Sequence, residues 1–262
     1  MHPETTNPFG ARRYHAWNDQ VKDRHGERVQ KVSVIAGFTC PNRDGVVGTG
    51  GCTFCNNAGF TPGYLDQRQS ITEQINAGLD FLQRRYPRTQ HYIAYFQSYS
   101  NTYGELERLR ACYEEALAHP QIIGLAIGTR PDCLPDEVLD YLARLARDHI
   151  IELEIGVESC NDAVLERANR GHDFATSVDA IVRSAARGLE VTVHLLLGLP
   201  GESRQSMLDG ARLISALPIR ALKLAPQWNL RLSELAPLIS AELARRNSWQ
   251  GCRYLPVLIE AA

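Results

Sequence analysis

Short apolar runs alternate with amphipathic stretches along most of this chain. The apolar runs are rich in β-branched and aromatic residues, which favours strands, and the stretches between them repeat their apolar residues at helical spacing. The predicted strands run from Lys31 to Cys40 and over Tyr92–Phe96, Ile122–Ile127, Ile151–Val157, Val191–Leu197 and Ala221–Leu224. A strand-then-helix order predicts a parallel sheet whose strands are joined by helical crossovers.

Besides the helical periodicity, the sequence contains residues that mark the ends of several helices. Ser70 and Glu73 have the spacing of a capping box, and Pro135 suits the first turn of a later helix. The predicted helices run from Ser70 toward Arg85 and over residues 105–118, 135–147, 176–187 and 207–217. Periodicity also favours a helix over 232–245, although Pro237 argues against it. No linker is long enough to mark a second domain.

Two carboxylates interrupt the apolar run of the fourth strand. Glu152 and Glu154 alternate with apolar neighbours, so both side chains fall on one face of the strand. That face is either the interior of a barrel beside a polar site or the solvent side of a half-exposed strand. The sequence leaves both interpretations open.

Composition places the chain among ordinary globular proteins. It has 262 residues, of which 44% are hydrophobic and 22% charged. The net charge of −2 argues against a generally basic nucleic-acid surface, and short arginine groups such as Arg84–Arg85 are typical of a solvated face. The apolar runs are too short to cross a membrane, and the N-terminus lacks an apolar signal core. We therefore expect a cytoplasmic protein with no membrane partner.

Three of the seven cysteines are grouped in a glycine-rich loop after the first predicted strand. Cys40, Cys52 and Cys55 are spaced C-x11-C-x2-C, with no fourth cysteine nearby. Structural zinc sites usually have four closed ligands, and a redox dithiol would leave Cys40 unexplained. An odd cysteine count disfavours a disulfide framework. Three thiols indicate a metal centre with an open coordination position, but spacing alone leaves iron–sulfur, zinc and redox sites as alternatives.

The residues around these cysteines resemble those of radical S-adenosylmethionine (SAM) enzymes. The strings that carry the resemblance are R-Y-H-A-W-N-D-Q-V-K-D-R-H-G-E-R-V, A-G-F-T-C-P-N-R-D-G, G-G-C-T-F-C-N, F-Q-S-Y-S-N-T-Y, G-T-R-P-D-C, L-E-I-G-V-E-S, N-R-G-H and L-L-L-G-L-P-G-E. They occur in that order, and the resemblance covers roughly residues 12–224. The usual spacing in the superfamily is C-x3-C-x2-C. The longer first gap is similar to that of one bacterial family of unassigned substrate, close to elongator catalytic-subunit-like enzymes.

The resemblance implies an α/β fold, a partial TIM barrel of (β/α)6 type with parallel strands and the cluster loop after the first strand. It divides the chain into an N-terminal extension (1–30), a radical SAM core (31–224) and a divergent C-terminal segment (225–262). Active-site residues of α/β barrels come from the carboxyl ends of the strands, and the resembling strings fall at those ends.

The resemblance also implies site residues. Cys40, Cys52 and Cys55 would bind three irons of a [4Fe–4S] cluster, and the amino and carboxylate groups of SAM would chelate the fourth iron. Phe54, Gly198 and Gly201 would lie along the adenine of SAM. Tyr99 and Asn101 stand in place of a Gly-Gly-Glu-like motif that this chain lacks. Glu158 would bind the ribose hydroxyls, and Arg170 would bind the SAM carboxylate. Ordinary roles in packing, turns or surface charge stay open for the SAM contacts.

The implied activity is reductive cleavage of SAM to a 5′-deoxyadenosyl radical that takes a hydrogen atom from a substrate. An electron donor such as flavodoxin or ferredoxin would supply the electron. RNA is a candidate substrate only by association with elongator-like enzymes. The alternative is a non-catalytic iron–sulfur or zinc-binding protein with a structural, sensing or partner-binding role. The resemblance ends after Leu224, which leaves activity and substrate open.

Overall fold

A parallel sheet forms the centre of the molecule. The computed structural model describes residues 17–56, 61–226 and 257–259. Its strands are β1 Gln30–Val34, β2 Tyr92–Phe96, β3 Ile122–Thr129, β4 Ile150–Glu158, β5 Glu190–Leu197, β6 Ala221–Pro226 and β7 Val257–Ile259, paired in that order. All six predicted strands are present and parallel, which confirms the α/β prediction. The short β7 pairs with β6 and was not predicted.

One helix precedes the first strand, and the other helices of the described residues lie between successive strands. They are α1 Trp17–His25, α2 Ile71–Arg85, α3 Leu106–Leu117, α4 Asp136–Leu145, α5 Asp162–Arg167, α6 Phe174–Ala186 and α7 Arg204–Ser215. The predicted capping box of α2 is present, since the Ser70 hydroxyl accepts from the Glu73 N–H and the Glu73 carboxylate accepts from the Ser70 N–H. The helix predicted over 232–245 lies outside the described residues.

The first strand ends earlier than the sequence predicts. β1 stops at Val34, whereas the apolar run predicted a strand as far as Cys40. The buried side chain of Gln74 explains the difference, because its amide pairs with both backbone groups of Ile35, at 2.8 and 3.0 Å. Gly37 then turns the chain with a φ of 68°. Cys40 therefore lies in a loop beyond the strand.

Contacts between strands that are not neighbours show that the sheet curls into a half-barrel. Lys31 on β1 forms an ion pair with Glu154 on β4, with Nζ and Oε1 2.5 Å apart. Lys223 on β6 donates to the Tyr95 hydroxyl on β2 at 2.9 Å. Side chains of β1 and β4, or of β2 and β6, can meet in this way only across a concave surface. Glu152 and Glu154 are both buried, so their shared face is the barrel interior.

Helix α1 packs into the amino-terminal end of the barrel interior. Trp17 and Val21 form a small buried cluster with Ile93, Tyr95 and Ala126 from β2 and β3. The segment before β1 therefore contributes to the core and closes this end of the half-barrel. Of the helices in the described ranges, none combines the length and apolar character that a bilayer crossing requires.

Candidate functional site

The long gap between the first two cysteines folds into a small hairpin. The Cys40 carbonyl accepts from the Arg43 N–H at 2.8 Å, and the Gly51 N–H donates to the Asn42 carbonyl at 2.8 Å. A β-bridge joins Asp44 and Thr49 further along the same loop. The extra residues thus pair with one another, and the chain returns beside its starting point just before Cys52. A C-x11-C gap therefore brings its two cysteines together, as a shorter spacing would.

All three grouped cysteines line one cavity at the carboxyl ends of the strands. A tight turn over the C-x2-C pair, in which the Cys55 N–H donates to the Cys52 carbonyl at 3.0 Å, places Phe54 on the same rim. Other sequence-predicted residues in the cavity wall are Tyr99, Glu158 and Arg170. The structure thus brings together seven of the ten predicted site residues.

The other three predicted residues do not line this cavity. The buried Asn101 amide donates to the Phe96 and Gly128 carbonyls at 2.9 Å each, joining two strand ends. The Gly198 N–H donates to the Glu202 carboxylate at 3.2 Å. At Gly201, a β-carbon would lie 1.7 Å from the Arg167 guanidinium. Each of the three therefore has a local structural role among the described residues, and its contact with SAM stays a prediction.

The loop after α5 clasps the cysteine hairpin. The Thr53 N–H donates to the Ala168 carbonyl at 3.0 Å. The Asn169 side chain donates to the Gly51 carbonyl at 2.8 Å, and the Asn42 side chain donates back to the Asn169 carbonyl at 2.5 Å. The N-R-G-H string therefore fixes the loop that carries Cys52. Sequence reasoning missed Asn42, whose partner Asn169 lies 127 residues away in the chain.

Backbone strain is concentrated around the cavity. Within the described ranges, the non-glycine residues with positive φ are Tyr99 at 68°, Glu158 at 71° and Asn169 at 52°. Such conformations are unfavourable for L-residues and often mark functional sites. Tyr99 and Glu158 both line the cavity, and Asn169 belongs to the clasp. These outliers support a functional interpretation of the two cavity residues.

Arg170 lies under the cysteine rim and is almost fully buried. One terminal nitrogen lies 3.5 Å from the Cys52 sulfur, and the other donates to the Gly156 carbonyl at 2.5 Å and lies 3.8 Å from the Glu158 carboxylate. Its Nε has no hydrogen-bond partner in the described part of the chain. A buried guanidinium with an unused donor favours a negatively charged neighbour.

A second arginine stabilises the clasp from the side. Arg130 forms a two-pronged ion pair with Asp132, at 2.8 and 2.7 Å, and donates to the Arg170 carbonyl at 2.8 Å. The geometry gives Asp132 a structural role as the partner of Arg130. Arg130 nevertheless lines the cavity, and its charge partly offsets the effect of burial, which raises the pKa of Cys40.

A buried polar network lines the deeper part of the cavity. The Glu154 carboxylate accepts from the Tyr95 hydroxyl and contacts a His194 ring nitrogen, both at 2.7 Å. It also lies within ion-pair distance of Lys31 and Lys223. Burial by itself raises the pKa of Glu154, but Lys223, Lys31 and His194 together hold it well below its usual range. The cavity therefore has a carboxylate that stays ionised.

Sequence reasoning missed Lys31, Tyr95, His194 and Lys223 as members of this network. The signal that singled out Glu152 and Glu154, a polar residue within a predicted strand, also applies to these four residues. Each is a polar or hydroxyl-bearing side chain that lies next to apolar residues within a strand, and a charged residue is rarely buried unless it is paired.

The remaining described cysteines differ from the grouped three. Burial raises the pKa of Cys133 and of Cys160 to about 12, so both thiols stay protonated. Cys112 is half-buried and its pKa is also raised by burial. None of these three lines the cavity, which leaves Cys40, Cys52 and Cys55 as the candidate donor set.

A single metal ion and a four-iron cluster need their ligands at different spacings. Among the described residues, no three His, Cys, Asp or Glu side chains are grouped closely enough to hold one ion. A four-iron cluster is larger, and it holds its thiolates further apart than one ion does. Three thiols on the rim of a cavity, with a buried guanidinium beside one sulfur, fit such a cluster.

Comparisons with known proteins agree with this geometry. Residues 39–214 match the family model of the radical SAM superfamily. The chain is 41% identical to Protein YhcC of Escherichia coli K12 over 204 residues, which cover 78% of this chain and 64% of that protein. It is 36% identical to YtqA of Bacillus subtilis over 224 residues, covering 83% and 69%. The chain thus spans about two thirds of the length of these relatives.

A solved structure supports the fold independently. The Elp3 of Methanocaldococcus infernus with an N-terminal deletion is similar with a TM-score of 0.59 and 18% identity, over 88% of this chain and 56% of that one. At this identity the likeness concerns the fold alone. It confirms the predicted partial TIM barrel.

Proposed function

Because this chain belongs to the radical SAM superfamily, we propose that it binds a [4Fe–4S] cluster through Cys40, Cys52 and Cys55 and cleaves SAM reductively. The observation that carries the proposal is the hairpin, which brings three thiols to the rim of one cavity. When bound and reduced, such a cluster supplies the electron that breaks the C5′–S bond of SAM and so yields a 5′-deoxyadenosyl radical.

The residues of this chain would bind and orient SAM beside that rim. Phe54 and Tyr99 offer aromatic faces to the adenine or its surroundings. The Glu158 carboxylate can accept from both ribose hydroxyls, and Glu158 lines the cavity from a strained backbone position. The unused Arg170 Nε is available to the SAM carboxylate. The half-barrel itself would shield the radical from water.

The proposal is tested by measuring SAM cleavage. Protein reconstituted anaerobically with iron and sulfide and reduced with dithionite should form 5′-deoxyadenosine, detected by liquid chromatography. Cys52→Ala should reduce the rate to the background of protein-free controls, because one iron loses its thiolate. Cys112→Ala is the matched control, since it removes a thiol outside the cavity. Equal product from wild type and Cys52→Ala would refute the catalytic role.

Metal analysis separates this proposal from a non-catalytic zinc-binding protein. We expect about four iron and four sulfide per chain after reconstitution, as the cluster formula requires. One zinc per chain and no cluster would support the alternative. Four iron without 5′-deoxyadenosine would instead indicate a structural or sensing cluster.

Gly156 gives a prediction for SAM binding. A β-carbon at this position would lie 2.5 Å from the Glu158 carboxylate and 2.9 Å from the Arg170 guanidinium. Gly156→Ala should therefore displace both side chains and weaken SAM binding about tenfold, equivalent to about 1.4 kcal/mol. Isothermal titration calorimetry with the reconstituted protein measures this change. Gly104→Ala is the control, since its added carbon meets only ordinary contacts with Phe38; equal affinities for the two variants would contradict the placement of SAM.

Partner assignments rest on the same proposal. An electron donor of the flavodoxin or ferredoxin type would replace dithionite in the cell. One relative, a tRNA uridine(34) acetyltransferase of Methanocaldococcus infernus, is 30% identical over 86 residues, or 33% of this chain and 16% of that protein. Its name makes RNA a candidate substrate class for this chain, and the net charge of −2 lends that assignment no support.

A further inference from the structure

The three grouped cysteines have unequal surroundings. Two buried side chains direct nitrogen atoms at the Cys52 sulfur: Arg170 through Nη1 and Asn42 through Nδ2, each at 3.5 Å. Among the described residues, Cys55 meets the Arg43 side chain and Cys40 meets the Asn42 backbone N–H, whereas Cys52 has two side-chain donors. Cys52 is also buried, whereas the other two are half-exposed. One sulfur of the set is therefore held in a donor-rich, water-poor environment.

The position of Arg170 is fixed independently of any cofactor. Its second terminal nitrogen donates to the Gly156 carbonyl on β4, and its own carbonyl accepts from Arg130. Asn42 is likewise fixed by its bond to the Asn169 carbonyl. Both donors are therefore placed before a cluster binds, and preorganised donors lose little entropy when charge develops beside them.

We infer that Arg170, assisted by Asn42, donates to the Cys52 thiolate and raises the reduction potential of the [4Fe–4S] cluster. The inference rests on the proposed function. Reduction adds one negative charge to a thiolate-bound cluster, and a buried guanidinium beside one sulfur stabilises that charge. Hydrogen bonds to the sulfurs are a recognised determinant of cluster potential. Arg170 is thus a positioning and tuning residue that would decide which electron donors can reduce the cluster.

The test is a redox titration of reconstituted protein without SAM, followed by the EPR signal of the reduced cluster. At a fixed solution potential, Arg170→Gln should lower the ratio of reduced to oxidised cluster about tenfold, which corresponds to about 59 mV for one electron. Omitting SAM separates this role from binding of the SAM carboxylate. If Arg170 only bound that carboxylate, its replacement would not change the reduction potential of the cluster in a SAM-free sample.

Arg167→Gln is the matched control. Arg167 lies on the neighbouring α5 and donates to the Pro200 carbonyl, so its replacement removes the same charge without removing a donor to sulfur. We expect less than a threefold change in its ratio. A wild-type protein that binds no cluster overturns both the proposed function and this inference. A loaded wild type whose ratio matches that of loaded Arg170→Gln overturns the inference alone.

A second measurement keeps the inference testable if Arg170→Gln fails to load a cluster. Protein labelled with 15N-arginine, in an Arg43→Lys background that removes the other arginine near the C-x2-C pair, should show a 15N coupling to the reduced cluster in pulsed EPR. Absence of that coupling in loaded protein contradicts a hydrogen bond from Arg170 to Cys52.

Discussion

Replacement of Glu154 by glutamine is expected to lower the free energy of unfolding by about 3–5 kcal/mol, the typical effect of breaking a buried ion pair from one side. The Glu154 side chain is 1% exposed and is the common partner of Lys31, Lys223 and His194. Glutamine has nearly the same shape but no charge, so both lysines would be left in the barrel interior with less compensation. Urea denaturation at pH 7, followed by circular dichroism, measures the change.

Glu190→Gln is the matched control for this prediction. Glu190 pairs with Arg24 at 2.6 Å, but the two side chains are 32% and 48% exposed. Exposed ion pairs typically contribute less than about 1 kcal/mol. If the two variants lose similar stability, the network around Glu154 does not hold the barrel interior together.

The same substitution gives a pH dependence with a definite sign. Because the pKa of Glu154 is lower in the folded protein than its ordinary value of 4.5, the folded state binds this proton more weakly than the unfolded state. Its contribution to stability is therefore complete above pH 4.5 and is lost as the pH falls below that value. The stability difference between wild type and Glu154→Gln should shrink on acidification. A difference that stays constant between pH 7 and pH 3 would contradict this assignment.

Local patterns in the sequence predict most of the sheet and the crossover helices. Strand β3 is a nearly continuous apolar run because both its faces are covered, and α2 is marked by its capping box and its apolar stripe. Such features depend on residues that are close in the chain. β1 is an instructive exception, because its end is decided by Gln74, which lies on the following helix and takes over the backbone groups of Ile35.

The candidate site is only partly predictable for the same reason. The grouped cysteines and the strand-end positions of Tyr99 and Glu158 can be read from motifs. The clasp between the cysteine hairpin and the 168–170 loop joins residues 115 to 127 positions apart, and no local spacing signals it. Asn101 shows what a motif leaves out: its amide bonds to the backbone at two strand ends, and it does not line the cavity.

The closed end of the barrel gives the second large expected effect. Trp17 on α1 is 8% exposed, its indole N–H donates to the Glu152 carboxylate at 2.9 Å, and the Lys31 ammonium lies 4.8 Å from its ring centre. Trp17→Ala would remove a large buried side chain and leave a cavity beside Tyr95. We expect a loss of about 3–5 kcal/mol in the free energy of unfolding, measured by urea denaturation.

Trp17→Phe separates the packing of this helix from its link to the charge network. Phenylalanine keeps most of the buried ring but has no N–H, so Glu152 loses one donor, and the expected loss is about 1–3 kcal/mol. Because Glu152 and Glu154 share Lys31, Trp17→Phe and Glu154→Gln should be non-additive when combined. If the two losses in the free energy of unfolding are strictly additive, α1 packs on the barrel without affecting the polar network. Non-additivity would mean that α1 is energetically coupled to the polar network deep in the candidate site.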